Sequence, residues 1–107
     1  MKENLNNIEN RIEEKINKII HLIVEKTDPE KIILFGSRAK GTAHKGSDID
    51  IALEGVQKLS VRDYRLLKEE IDTISGLYSV DIVFIEKVDN SFKQIIQDTG
   101  VILYEKK

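Results

Sequence analysis

Apolar residues at Leu5, Ile8, Ile12, Ile16, Ile19 and Ile23 recur at intervals of three or four, and the pattern stops just short of Pro29, the one proline in the chain. That spacing forms a single stripe on a helix, with Glu and Lys between the apolar positions. Proline disfavours helical geometry in the preceding residue and has no amide hydrogen, so the helix is expected to stop near Thr27-Asp28-Pro29. Lys31-Ile32-Ile33-Leu34-Phe35 then reads as a short buried strand ended by Gly36.

A polar loop runs from Gly36 to Ser47, with room for one helical turn over Arg38 to Thr42, before a second strand, Asp48-Ile49-Asp50-Ile51-Ala52-Leu53. A connection that short does not accommodate a full right-handed crossover, so the first two strands are expected to pair antiparallel. Ser60 caps a further helix whose Val61, Tyr64, Leu67, Ile71 and Ile74 share a face and which Gly76 stops. Ser79 to Ile85 is the next strand, Asn90 or Ser91 caps a last helix through Asp98, and Val101 to Tyr104 is a final strand or extended tail. The order implies an α+β fold of two layers, with helices packed on one mixed sheet.

With 107 residues, 40% of them apolar, the chain is expected to form one domain spanning residues 1–107, and an elaborate substrate pocket is expected to need a partner. Seventeen Lys and Arg against nineteen Asp and Glu give a net charge of −2, which argues against a nucleic-acid coat protein. With no cysteine, disulfides, thiolate metal sites and cysteine nucleophiles are excluded. No apolar run approaches the roughly 20 residues of a membrane span, and the N-terminus lacks the apolar core of a signal peptide, so a cytoplasmic location is expected.

Three features coincide in the middle of the chain. Gly36-Ser37 sits where a strand ends and a helical turn begins, so backbone amides and a hydroxyl face an approaching anion without a bulky side chain in the way. Asp48 and Asp50 are two apart on a strand, with both carboxylates on one face and alpha carbons roughly 6–7 Å apart, close enough to share divalent cations. Asp81 interrupts an apolar run from Val80 to Ile85, where burying an unpaired charge is costly and a metal would remove the cost.

Each feature alone has a plainer account: a turn, the solvent face of an edge strand, an aspartate ion-paired with Lys31 or Arg38. Together they require three independent accidents. Arg38, beside Ser37, is a candidate phosphate contact and Lys45 a weaker one, whereas Lys40 reads equally well as a solvated loop charge. His44 has no His or Cys neighbour for zinc and His21 reads as a surface residue; Tyr64, Tyr78 and Tyr104 read as packing residues.

The text Phe35-Gly36-Ser37-Arg38-Ala39-Lys40-Gly41-Thr42-Ala43-His44-Lys45-Gly46-Ser47-Asp48-Ile49-Asp50-Ile51, with a third Asp in a later strand, resembles the nucleotidyltransferase superfamily that includes the DNA polymerase beta palm. It is most similar there to the minimal nucleotidyltransferases, the MNT proteins, whose antitoxin members pair with HEPN toxins. The resemblance covers nearly the whole chain, including the ending Asp98 to Tyr104.

What it implies follows residue by residue. Gly36 and Ser37 would hold the terminal phosphates of ATP, with Arg38 and Lys45 beside them. Asp48 and Asp50 would bind two magnesium ions, and Asp81, the third acid, would bind the ion nearer the attacking oxygen and accept a proton. Such pairs of ions stabilise the attacking and departing oxygens of an in-line displacement, here expelling pyrophosphate and leaving AMP on an acceptor hydroxyl. Larger members carry a further helical domain that this sequence does not show, so a partner is implied: a HEPN toxin, modified on a tyrosine and silenced. Two other readings stand beside it: transfer to a small-molecule acceptor, and a non-catalytic antitoxin that covers its partner.

Overall fold

The computed structural model describes residues 3–43, 46–57 and 59–107. Helix α1 spans Glu3–Thr27, β1 Lys31–Phe35, the short α2 Ser37–Lys40, β2 Ile49–Glu54, α3 Val61–Ser75, β3 Val80–Phe84, α4 Asn90–Thr99 and β4 Val101–Glu105, with a single 3-10 turn at Ile85–Lys87 after β3. Among the described residues no helix is long and apolar enough to cross a membrane.

The end of α1 shows how local chemistry sets the fold. The Thr27 hydroxyl donates to the carbonyl of Ile23 at 2.8 Å, and Asp28 swings to φ 46, from where its amide donates to Val24. Pro29, buried, then turns the chain into β1, so the stop falls where proline predicts it. Ser60 caps α3 by accepting from the amide of Asp63 at 3.0 Å. At α4 the expected cap was Asn90 or Ser91; the actual cap is Asp89, whose carboxylate accepts from the amide of Phe92 at 2.8 Å. The same local chemistry operates one residue earlier, because a carboxylate at the N-terminus also meets the helix dipole favourably.

The four strands lie in the order β3-β2-β1-β4. β1 and β2 are antiparallel as expected, with Phe35 opposite Asp50. β2 and β3 are parallel, joined by the α3 crossover, with Asp50 opposite Asp81. β4 pairs antiparallel with β1, its register shifting between Ile32 and Ile33.

One sheet face carries Ile32, Ile49, Ile51, Leu53 and Val80 and packs on Ile19 and Ile23 of α1 and Leu67 and Ile71 of α3. Burying an isoleucine or leucine contributes about 1.5–3 kcal/mol, so this layer carries most of the apolar stabilisation. To the two-layer body α4 adds a short helix on the opposite face, where Ile96 and Phe92 meet Ile33, Phe35 and Ala52. The Phe35 and Phe92 rings meet edge-on, 5.6 Å between centroids. In β2 the residue two before Ala52 on this second face is Asp50, and the apolar layer gives way there to acid.

Candidate active site

Asp50 occupies the junction of three strands: in register with Phe35 of β1 on one side and Asp81 of β3 on the other. Residues in register across a sheet point to the same face and lie about 5 Å apart, so β2 and β3 bring Asp50 and Asp81 together. Asp48 lies two residues earlier, just ahead of β2, and its charge also acts on Asp50. The three acids of the sequence analysis therefore converge at one end of the sheet.

Their burial differs from expectation. Asp81 is exposed and Asp50 is half-buried. The apolar run around Asp81 belongs to an edge strand, so its side chain reaches solvent and its burial does not call for a metal. Asp50 is the strained member: burial raises its carboxyl above the ordinary range first, the charges of Asp81 and Asp48 and a hydrogen bond with Asp81 add to this, and Arg38 pulls it back. Neither plain account of Asp81 holds, because Lys31 pairs with Glu105 at 3.7 Å and Arg38 is engaged elsewhere.

The turn after β1 is built against Asp50. Gly36 has φ 77 and ψ −156, a region open essentially to glycine alone. A Cβ there would run into the Asp50 carboxylate, lying 3.2 Å from its Cγ even before the oxygen is considered. The helical turn begins at Ser37 rather than Arg38 and closes at Gly41, whose amide returns to the Ser37 carbonyl. Opening amides of such a turn have no carbonyl four residues back, and Gly36 offers no side chain to cap them.

Arg38 does work that sequence reasoning missed. Its Nη2 donates to the carbonyl of Ser47 at 2.7 Å, and its guanidinium lies 5.5 Å from the centre of the Tyr78 ring. One side chain thus ties the glycine turn to the residue ahead of Asp48 and to the approach to β3. No periodicity connects positions 38 and 78, so nothing in the sequence could have signalled it. Its Nε is buried with no hydrogen-bond partner among the described residues.

Lys45 and His44 lie outside the described residues. Lys40 and His21 are exposed, Tyr64 packs against Phe84 at 5.8 Å, and Tyr104 packs against the main core. A cavity of about 470 Å³ lined by Val56, Tyr64, Phe84 and Lys87 lies at the opposite ends of β2 and β3 and is not part of this arrangement. Among the described residues no group of three or more His, Cys, Asp or Glu side chains is placed to hold a metal ion, so any ion here rests on one or two carboxylates and on the ligand it arrives with. The carboxylates form an open, all-oxygen set.

This fold and this acid cluster define a nucleotidyltransferase domain. Residues 17–107 match the family described as Polymerase beta, Nucleotidyltransferase, and the chain belongs to that family. It is 30% identical over 90 residues, 83% of this chain and 79% of the relative, to a Haemophilus influenzae protein named "Probable protein adenylyltransferase MntA". A crystal structure of a toxin-antitoxin with AMP-PNP superposes with a TM-score of 0.72 at 29% identity, covering 85% of this chain and 73% of the other. The MNT antitoxin fold also appears in a complex with a tri-AMPylated Shewanella oneidensis HEPN toxin, TM-score 0.68 at 24% identity over 88% of this chain and 72% of that one, a likeness of fold.

Proposed function

We propose that this protein transfers AMP from ATP to a hydroxyl, a tyrosine, of a HEPN-type partner toxin and thereby acts as its antitoxin. The observation that carries the reading is the register of Asp50 with Asp81 across parallel strands, directly beside a turn that only glycine can make. The relative named as a protein adenylyltransferase and the neighbour with AMP-PNP support the same chemistry.

Asp48, Asp50 and Asp81 are the residues that would hold divalent cations, two magnesium ions. Magnesium is commonly bound by one or two carboxylates together with substrate phosphates, so an open carboxylate set suits it better than a closed cage. When bound, such ions neutralise charge on the attacking and departing oxygens of the displacement. The residues also fit electrostatically, because a cation takes the place of the proton that burial and the neighbouring carboxylates favour on Asp50.

The amides following Gly36 and the Ser37 hydroxyl hold the β and γ phosphates, and Arg38 and Lys45 add positive charge on that side. The acceptor oxygen forms a bond to the α phosphorus, the bond between the α phosphorus and the oxygen bridging to the β phosphorus breaks, and pyrophosphate leaves carrying that oxygen. Asp81, exposed on its strand, takes the acceptor proton.

ATP labelled at the α or the γ phosphate, mixed with this protein, magnesium and a co-expressed partner, tests the reading. Label retained on the partner only from the α position supports it. Label from the γ position, or none, overturns it.

A further inference from the structure

β3 is one margin of the sheet, and its hydrogen-bond pattern is fixed by one bond. The amide of Ile49 donates to Ser79 at 2.8 Å while Ile49 stands in register with Val80. In a parallel ladder this makes Asp81 and Val83 the residues whose amides and carbonyls face β2. Val80, Ile82 and Phe84 therefore turn their backbone groups outward, where among the described residues no strand pairs with them; Val80 is buried, which leaves half-buried Ile82 and Phe84 as the open positions.

Free edges are ordinarily blunted by charge or irregularity. The β4 margin follows that rule, with a register shift in its pairing and Glu105, Lys106 and Lys107 at its end. On β3 the only charge is Asp81, which belongs to the active site, and there is no proline or lysine. The turn leading into β3 carries Leu77, left fully in solvent at 103% relative exposure.

We infer that the β3 edge is the acceptor-docking surface: an extended, hydroxyl-bearing segment of a partner polypeptide adds as a fifth strand, bonded to Ile82 and Phe84. The inference rests on the proposed transfer to protein and specifies how the acceptor arrives. The backbone groups of Asp81 face the sheet, so the residue opposite it on an added antiparallel strand is the close, non-hydrogen-bonded partner, with alpha carbons about 4.5 Å apart. Its side chain stands on the face of Asp81, beside Asp50. Main-chain bonds supply the affinity, and alternation selects which residue meets the acids.

The test uses a synthetic ten-residue peptide of alternating valine and threonine with one central tyrosine, titrated into the full chain and followed by amide NMR without ATP. Exchange at Ile82 and Phe84 is expected to slow by about tenfold, with no change along β4. Ile82→Pro removes an outward amide that the native ladder does not use and is expected to abolish the effect. Ile82→Ala loses the same packing, keeps the amide and retains the effect. Unchanged exchange at those two amides, or an equal response at Phe84 in the proline variant, overturns the inference. Because this readout needs no nucleotide, peptide docking without AMP transfer would count against the proposed reaction alone, and AMP transfer without protection at β3 against the docking surface alone.

Discussion

Gly36 and Asp50 touch: the backbone of the turn after β1 lies so close to the carboxylate that a single added methyl would strike it. The glycine turn after β1 and the acid cluster are therefore one packed unit. Gly36→Ala is expected to cost about 1–3 kcal/mol through its disallowed backbone region alone. It is also expected to displace Asp50 and abolish AMP transfer. Urea unfolding and labelling on the same preparation check both halves. A variant of unchanged activity would show that the contact does not govern the site.

Arg38 holds the turn to the residue ahead of Asp48 and stacks on Tyr78. Arg38→Gln is expected to lose about 1.5–3 kcal/mol, the usual range for a hydrogen bond from a charged group, and to lower AMP transfer. Tyr78→Phe keeps the ring face and should behave like wild type, while Tyr78→Leu should lose about 0.5–1 kcal/mol. Thermal unfolding of the three variants separates the bond from the stacking.

The raised carboxyl of Asp50 has a defined sign in stability. Between its unfolded and folded pKa the native state binds more protons than the unfolded one, so this group makes stability fall as pH rises. Above both values its full destabilising contribution remains. Asp50→Asn is therefore expected to raise the melting temperature of the metal-free protein at neutral pH and to flatten the slope on the acid side. Magnesium should then stabilise wild type and not the variant. Melting curves across pH, with and without magnesium, check this, and a destabilised variant would contradict it.

Much of this was legible in the chain. Pro29 ended α1 and the short loop dictated antiparallel β1 and β2, whereas β2 begins at Ile49 and leaves Asp48 just ahead of the strand the spacing predicts it to share with Asp50. What could not be read were facts of topology. Whether Asp81 is buried depends on β3 lying at the margin, which local pattern does not encode, and its apolar neighbours suggested the opposite. Likewise Arg38 reads as a phosphate ligand by proximity to Ser37, while its grip on Ser47 and Tyr78 depends on how loop and strand meet. Asp89 competed with Asn90 and Ser91 as a cap, and three adjacent good capping residues leave only the backbone to choose.

Ile96 anchors α4 to the face that ends in the acids and is fully buried. Ile96→Ala is expected to cost about 2–5 kcal/mol, measured by urea unfolding. Because α4 packs on β1 at Ile33 and Phe35, the loss should fall on stability before it falls on transfer. An activity loss with unchanged stability would place α4 nearer the chemistry than this packing allows.

The central claim is that the acid cluster performs nucleotidyl transfer to a protein, and intact mass of the co-purified partner measures it most directly. After incubation with ATP and magnesium, wild type is expected to add whole AMP units to the partner. Asp48→Asn with Asp50→Asn is expected to bind the partner and add none. Equal adducts from the acid variant, or a stable wild-type complex that stays unmodified and inhibited, would contradict the account and leave a covering antitoxin in its place.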